Sequence, residues 1–207
     1  MTIPMQICWI IACACNIAWL VVWSREELFA AFILMLVFTL SGSASLAFLI
    51  FATEEHGRTT RKESEVDFAL IYILIQNGVD VLVSWTTVST MVNLSVFLTF
   101  DPLVNPNLSS RTSSIIPLSI LLGVTVFWSI MENTVLFKHT RYLYAWYGVV
   151  IWSGTEILLL NQDITNVNII LTITLMCVSF TCLVIKIAVY FYRKIRRTSR
   201  YAINIAV

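Results

Sequence analysis

Asp80, Glu132, Glu156 and Lys186 are ionisable, and each falls inside a long apolar run. A charged side chain at the centre of a membrane helix costs about 2.5–3.5 kcal/mol even on the mildest scale, so each needs a partner or a task. Asp80 keeps the most polar company. Asn77, Asp80, Ser84 and Thr87 recur at helical spacing and share one helix face. Gln76, Thr86, Ser89, Thr90, Asn93 and Ser95 make the same segment the most polar of its kind in the chain. One chemistry open to such a stripe is ion or proton passage, with Asn77, Asp80 and Ser84 lining the path. The other is a polar network that joins helices, with Asp80 protonated or hydrogen-bonded. Spacing alone leaves both open.

Glu132 falls near one end of the fourth apolar run and Lys186 near the matching end of the sixth. A Glu132–Lys186 ion pair between neighbouring antiparallel helices fits that placement. So does an arrangement in which Lys186 snorkels to the interface with Glu132 alongside, and snorkelling is the expectation for Lys186. Thr125, Ser129 and Glu132 form a stripe that turns Glu132 inward, while Glu156, after Ser153-Gly154-Thr155, is expected at the outer interface. Ser41 and Ser45 have the spacing of a close helix contact. Trp9, Trp19, Trp23, Trp128, Trp146 and Trp152 lie toward span ends as an interfacial belt, and the deeper Trp85 is expected to face the bundle.

Other chemistries lack their residues. The only histidines, His56 and His139, fall in loops, so no intramembrane cluster exists for zinc or di-iron and no serine has a matching histidine. There is no Gly-rich phosphate loop and no series of spaced arginines. Proline occurs at Pro4, Pro102, Pro106 and Pro117, read as at or outside span ends, which leaves Gly78 as the candidate for an unwound helix. The expectation is no enzyme, no cofactor and no metal. A lone Lys186 in the last helix, Trp146 and Trp152 in the one before, and a mid-helix Asp80 resemble the parts of a microbial retinal protein. Six helices instead of seven, and a Lys186 near its helix end, set this chain apart.

These groups are positioned by a membrane-embedded bundle. The chain has 207 residues, 58% hydrophobic and 12% charged, with mean hydropathy +0.85, whereas soluble domains are about 45–50% apolar and about 25% charged. A formal net charge of +1 argues against nucleic acid as a partner. A crossing needs roughly 20 apolar residues. Six runs qualify, at about 6–23, 28–52, 68–100, 114–137, 142–160 and 166–192. They predict an all-α integral membrane protein, a six-transmembrane-helix bundle with short loops, as one domain with a basic tail at 193–207. The first run has no basic residue ahead of it and reads as a retained helix. The third is long enough to be a tilted or projecting helix or two short segments, and one crossing is kept. Cys8, Cys13, Cys15, Cys177 and Cys182 all fall in spans, against a disulfide framework.

With both termini cytosolic, Arg58, Arg61, Lys62, Lys138, Arg141, Arg193, Lys194, Arg196, Arg197 and Arg200 lie inside, and only Arg25 and Arg111 outside. The positive-inside rule is well obeyed. The same orientation puts the glycosylation sequon Asn107-Leu108-Ser109 outside. Partners are then the lipid bilayer, a homo-oligomer or larger membrane complex, and anionic lipid at the basic tail. The function read from these features is a small channel-like or transporter-like protein with a polar pathway on the third helix. The alternative is an accessory or assembly subunit of a larger complex, and a third class is a chromophore or small-ligand receptor. A C-terminal tag should resist protease in sealed right-side-out vesicles, and Asn107 should carry glycan in a eukaryotic secretory membrane. A digested tag would overturn the orientation.

Overall fold

Long apolar runs offer the backbone no partner but itself, and in a bilayer that selects helices. The computed structural model describes residues 3–63, 70–101, 110–140, 142–160 and 166–205. Six long helices occur there: α1 (Ile3–Ser24), α2 (Leu28–Glu63), α3 (Asn77–Phe100), α4 (Ser110–Asn133), α5 (Ala145–Leu160) and α6 (Asn166–Ile205). A π-helical turn, Ile71–Gln76, leads into α3, and a one-turn helix, Phe137–Thr140, lies between α4 and α5. There is no strand among the described residues. The chain is an all-α, multi-pass membrane protein.

Five segments are long and apolar enough to cross a membrane: Ile3–Ser24, Leu28–Thr53, Leu74–Phe100, Thr112–Asn133 and Val167–Arg193. The sixth helix, α5, has 16 residues and rises about 24 Å, short of the ~30 Å hydrocarbon layer. It starts at Ala145, a point that decides the chemistry of the site below. The basic tail continues α6 as helix to Ile205. The sequon Asn107 lies outside the described residues.

Two expectations about helix breaks are corrected. Pro117 is inside α4, because that helix begins at Ser110. Gly78 lies within the regular α3, and the irregular backbone is instead the π turn just before it. A π turn inserts one residue into the helical ladder and so rotates everything after it.

Helices α3, α4, α6 and α5 pack as a closed ring of four, α2 packs on α3, and α1 packs on α2. The ring is filled by Val88, Leu121, Trp146, Tyr147, Val150 and Leu175. Trp146 is therefore a core residue and not part of an interfacial belt. Trp85 is also corrected: it is 49% exposed and faces away from the ring. Ser45 supports the close α1–α2 contact, its hydroxyl donating to the Met5 carbonyl at 3.3 Å.

Among the described glycines, the closest approach to a neighbouring helix is at Gly154 of α5. A Cβ there would stand 2.6 Å from Cγ of Met176 on α6. At Gly148, one face away, a Cβ would meet nothing within 4 Å. Gly154→Val should therefore destabilise the protein by about 1–3 kcal/mol through overpacking, while Gly148→Ala should be neutral or stabilising. Thermal unfolding in detergent checks both, and equal midpoints for the two variants would contradict this packing.

Candidate functional site

Helix α5 has no cap of its own. Arg141-Tyr142-Leu143-Tyr144 precede it, and none of these can offer the short side-chain oxygen that usually accepts from a first-turn N–H. Leu143 in this connection is also buried, at 1% exposure. Acceptors and donors arrive from other helices. Asp80 Oδ2 of α3 accepts from the Ala145 N–H at 3.1 Å. Asn77, on the same face, donates from Nδ2 to the Tyr142 carbonyl at 3.0 Å and accepts at Oδ1 from the Tyr144 N–H at 3.3 Å. Lys186 of α6 donates to the Leu143 carbonyl. Polar side chains of two helices thus satisfy backbone groups at four successive residues.

Lys186 needs a counter-charge, and α4 supplies it. Its Nζ lies 2.6 Å from Glu132 Oε1. The other carboxylate oxygen, Oε2, accepts from the Tyr147 hydroxyl at 2.8 Å. Lys186 also stands 5.0 Å from the Tyr144 ring centroid and 5.8 Å from that of Tyr147. Asp80, Glu132 and Lys186 are all buried, and Asp80 is within electrostatic reach of the other two. A carboxylate at the start of a helix is further favoured by the helix dipole. The same end is closed outside by Arg193, which donates to the Asn133 carbonyl at 3.2 Å and lies over the Phe137 ring.

The structure brings Asn77, Asp80, Glu132 and Lys186 together. It separates Ser84 and Thr87 from that chemistry, since each hydroxyl donates to its own helix, to the carbonyls of Asp80 and Val83. Lys186 does not snorkel; it is held inside by Glu132 and Leu143. Asp80 lies level with the start of α5, through its bond to the Ala145 N–H. His139, read as a loop residue, packs edge-on to Phe51 and lines a cavity. Tyr147 was not singled out from the sequence, and Trp146 was read as a belt residue. The signal available for them was the aromatic run Tyr142–Tyr147 with no capping residue before an apolar helix.

Next to the cluster is a cavity of about 510 Å³. Its walls are α2, α3 and α4, and it is closed at one end by Leu136, His139, Thr140 and Trp146. Nearly all of the lining is apolar. Asp80 is the only carboxylate in it, and the buried indole N–H of Trp146 has no hydrogen-bond partner among the described residues. Thr39 and Thr90 are paired with each other across the α2–α3 contact at 2.9 Å. No group of three or more potential metal ligands occurs among the described residues.

Breaking a buried ion pair strands a charge, at a cost of about 3–5 kcal/mol, whereas replacing both partners with apolar residues costs far less. Lys186→Met should therefore lower the thermal midpoint strongly, and the double variant Lys186→Met/Glu132→Leu should recover part of the loss. If the double variant were the sum of the two single ones, Glu132 and Lys186 would not act as a pair.

A family model described as TSPO-like protein matches residues 2–190. No curated protein and no solved structure matches the chain.

Proposed function

The chain belongs to the TSPO-like protein family, and from that premise we propose that it binds an apolar small molecule inside the bilayer, in the cavity lined by Asp80 and Trp146. The observation that carries this reading is the Asp80 carboxylate in the wall of a largely apolar chamber of about 510 Å³. Ligand sites are typically cavities of about 300–1,000 Å³ with few polar groups in an apolar lining. A ligand with a single hydroxyl suits this lining, donating to the carboxylate. Access is sideways. Helices α2 and α4 do not touch among the described residues, and their rim residues Leu40 and Phe127 are 61% and 62% exposed, toward lipid.

Transport in this reading means carriage of that ligand, not ion conduction. The hydroxyls of Ser84 and Thr87 bond their own helix, and Asp80 is committed to the start of α5, which supports a bound molecule more than a continuous polar path. Both termini are oriented to the cytosol, so the ion-pair cluster lies toward the inner leaflet, and anionic lipid there would meet the basic tail. The protein acts without catalysis.

A long-chain alcohol bearing a diazirine, photolysed with the protein in nanodiscs, tests the proposal. Labelling is expected on α2, α3 and the start of α5. Ala47→Trp, which fills the cavity from α2, should abolish it. Labelling indifferent to that substitution would sink the proposal, and ion flux in liposomes lost on Asp80→Asn would restore the channel reading.

A further inference from the structure

The opposite face of α3 borders a second space, of about 610 Å³, lined by α1, α2, α3 and α5. Three tryptophans line it: Trp19 and Trp23 from α1 and Trp85 from α3. Trp19 and Trp23 stack with ring centroids 5.6 Å apart, and Trp19 is pinned by its indole N–H, which donates to Asn93 Oδ1 at 3.0 Å. Glu156 of α5 lines the same groove, one turn before the helix ends at Leu160. Among the described residues no lysine, arginine or histidine borders the groove. Glu156 has no hydrogen-bond or ion-pair partner among the described residues.

A carboxylate lining the same groove as three indoles, with no cation beside it among the described residues, makes the groove electrostatically negative. Ring quadrupoles attract cations at their faces, most strongly for tryptophan, and do so best for alkylated ammonium groups, whose weak hydration makes them cheap to desolvate. A hydrated metal ion would find one carboxylate and no further charged ligand here, and an anion would be repelled. Because the tryptophans are open toward lipid, with Trp85 half exposed, the ligand can arrive through the membrane and leave its chains there. We propose that this groove is a binding site for the quaternary ammonium group of an amphiphile, with Glu156 as counter-ion and Trp19, Trp23 and Trp85 as the aromatic wall. The site is separate from the Asp80 cavity, and neither depends on the other. Its chemistry fits both a choline lipid headgroup and a free alkylammonium amphiphile.

The full-length protein in phosphatidylglycerol nanodiscs, titrated with micromolar tetradecyltrimethylammonium, should show a saturable change in tryptophan fluorescence that tetradecanol does not produce. Glu156→Gln should weaken binding at least tenfold, and Trp85→Leu should weaken it while circular dichroism and thermal midpoint stay unchanged. Native mass spectrometry separates the sources. Retention of phosphatidylcholine over phosphatidylglycerol of the same chains, lost in Glu156→Gln, assigns the site to the lipid headgroup. Tetradecyltrimethylammonium binding without that selectivity assigns it to a free cation. A response equal for tetradecanol and tetradecyltrimethylammonium, or one that Glu156→Gln leaves intact, overturns the proposal and leaves an interfacial tryptophan belt.

Discussion

A helix that begins inside a membrane bundle cannot leave its first amides to water. The start of α5 is such a place, and the polar side chains at one end of the molecule are arranged around it. Asp80 and Asn77 reach across from α3, and Lys186 reaches across from α6. Bringing an ammonium to the Leu143 carbonyl then requires a carboxylate, which Glu132 supplies, and Tyr147 completes that carboxylate from α5 itself. Each member is costly alone in a low-dielectric interior and tolerable only with the others. The result ties α3, α4, α5 and α6 together at one level.

That closure also shapes the cavity. Leu143 of the connection is buried, and Leu136, His139, Thr140 and Trp146 wall the cavity at that end. The contacts that satisfy the backbone there thus stand at the closed end of a chamber that opens sideways to lipid. Asp80 belongs to both, with one oxygen on the Ala145 amide and its carboxylate at the cavity edge.

Helix α3 divides the molecule. Asp80, Val83, Thr87 and Thr90 face the enclosed cavity, and Leu82, Trp85, Ser89 and Asn93 face the open groove on the other side. This explains the unusual polar load of α3 without invoking a pore. A helix with neighbours on nearly all sides can carry polar groups around its whole circumference, most of them bonded to the helix backbone itself, as in Ser84, Thr86, Thr87, Thr90 and Asn93.

The residue sequence by itself determined the class of molecule and the faces of its helices. Apolar run length selects membrane helices because no other backbone can be satisfied in lipid, and the 3.6-residue period puts Asn77 on the face of Asp80, and Ser129 on that of Glu132, whatever surrounds them. Depth and partnership were decided only by the tertiary structure. Asp80 reads as central from its place in the third run, but its bond to Ala145, beside the bonds of Lys186 to Leu143 and Glu132, puts it level with that pair. Lys186 reads as a snorkelling residue because its long stem could reach the interface. It stays inside because the inward connection presents a bare carbonyl within its reach. Trp85 and Trp146 exchanged their expected environments for the same reason: a residue's distance from a span end says nothing about which neighbour covers it. Helical periodicity is a property of one segment, whereas burial, pairing and cavity walls depend on how several segments meet.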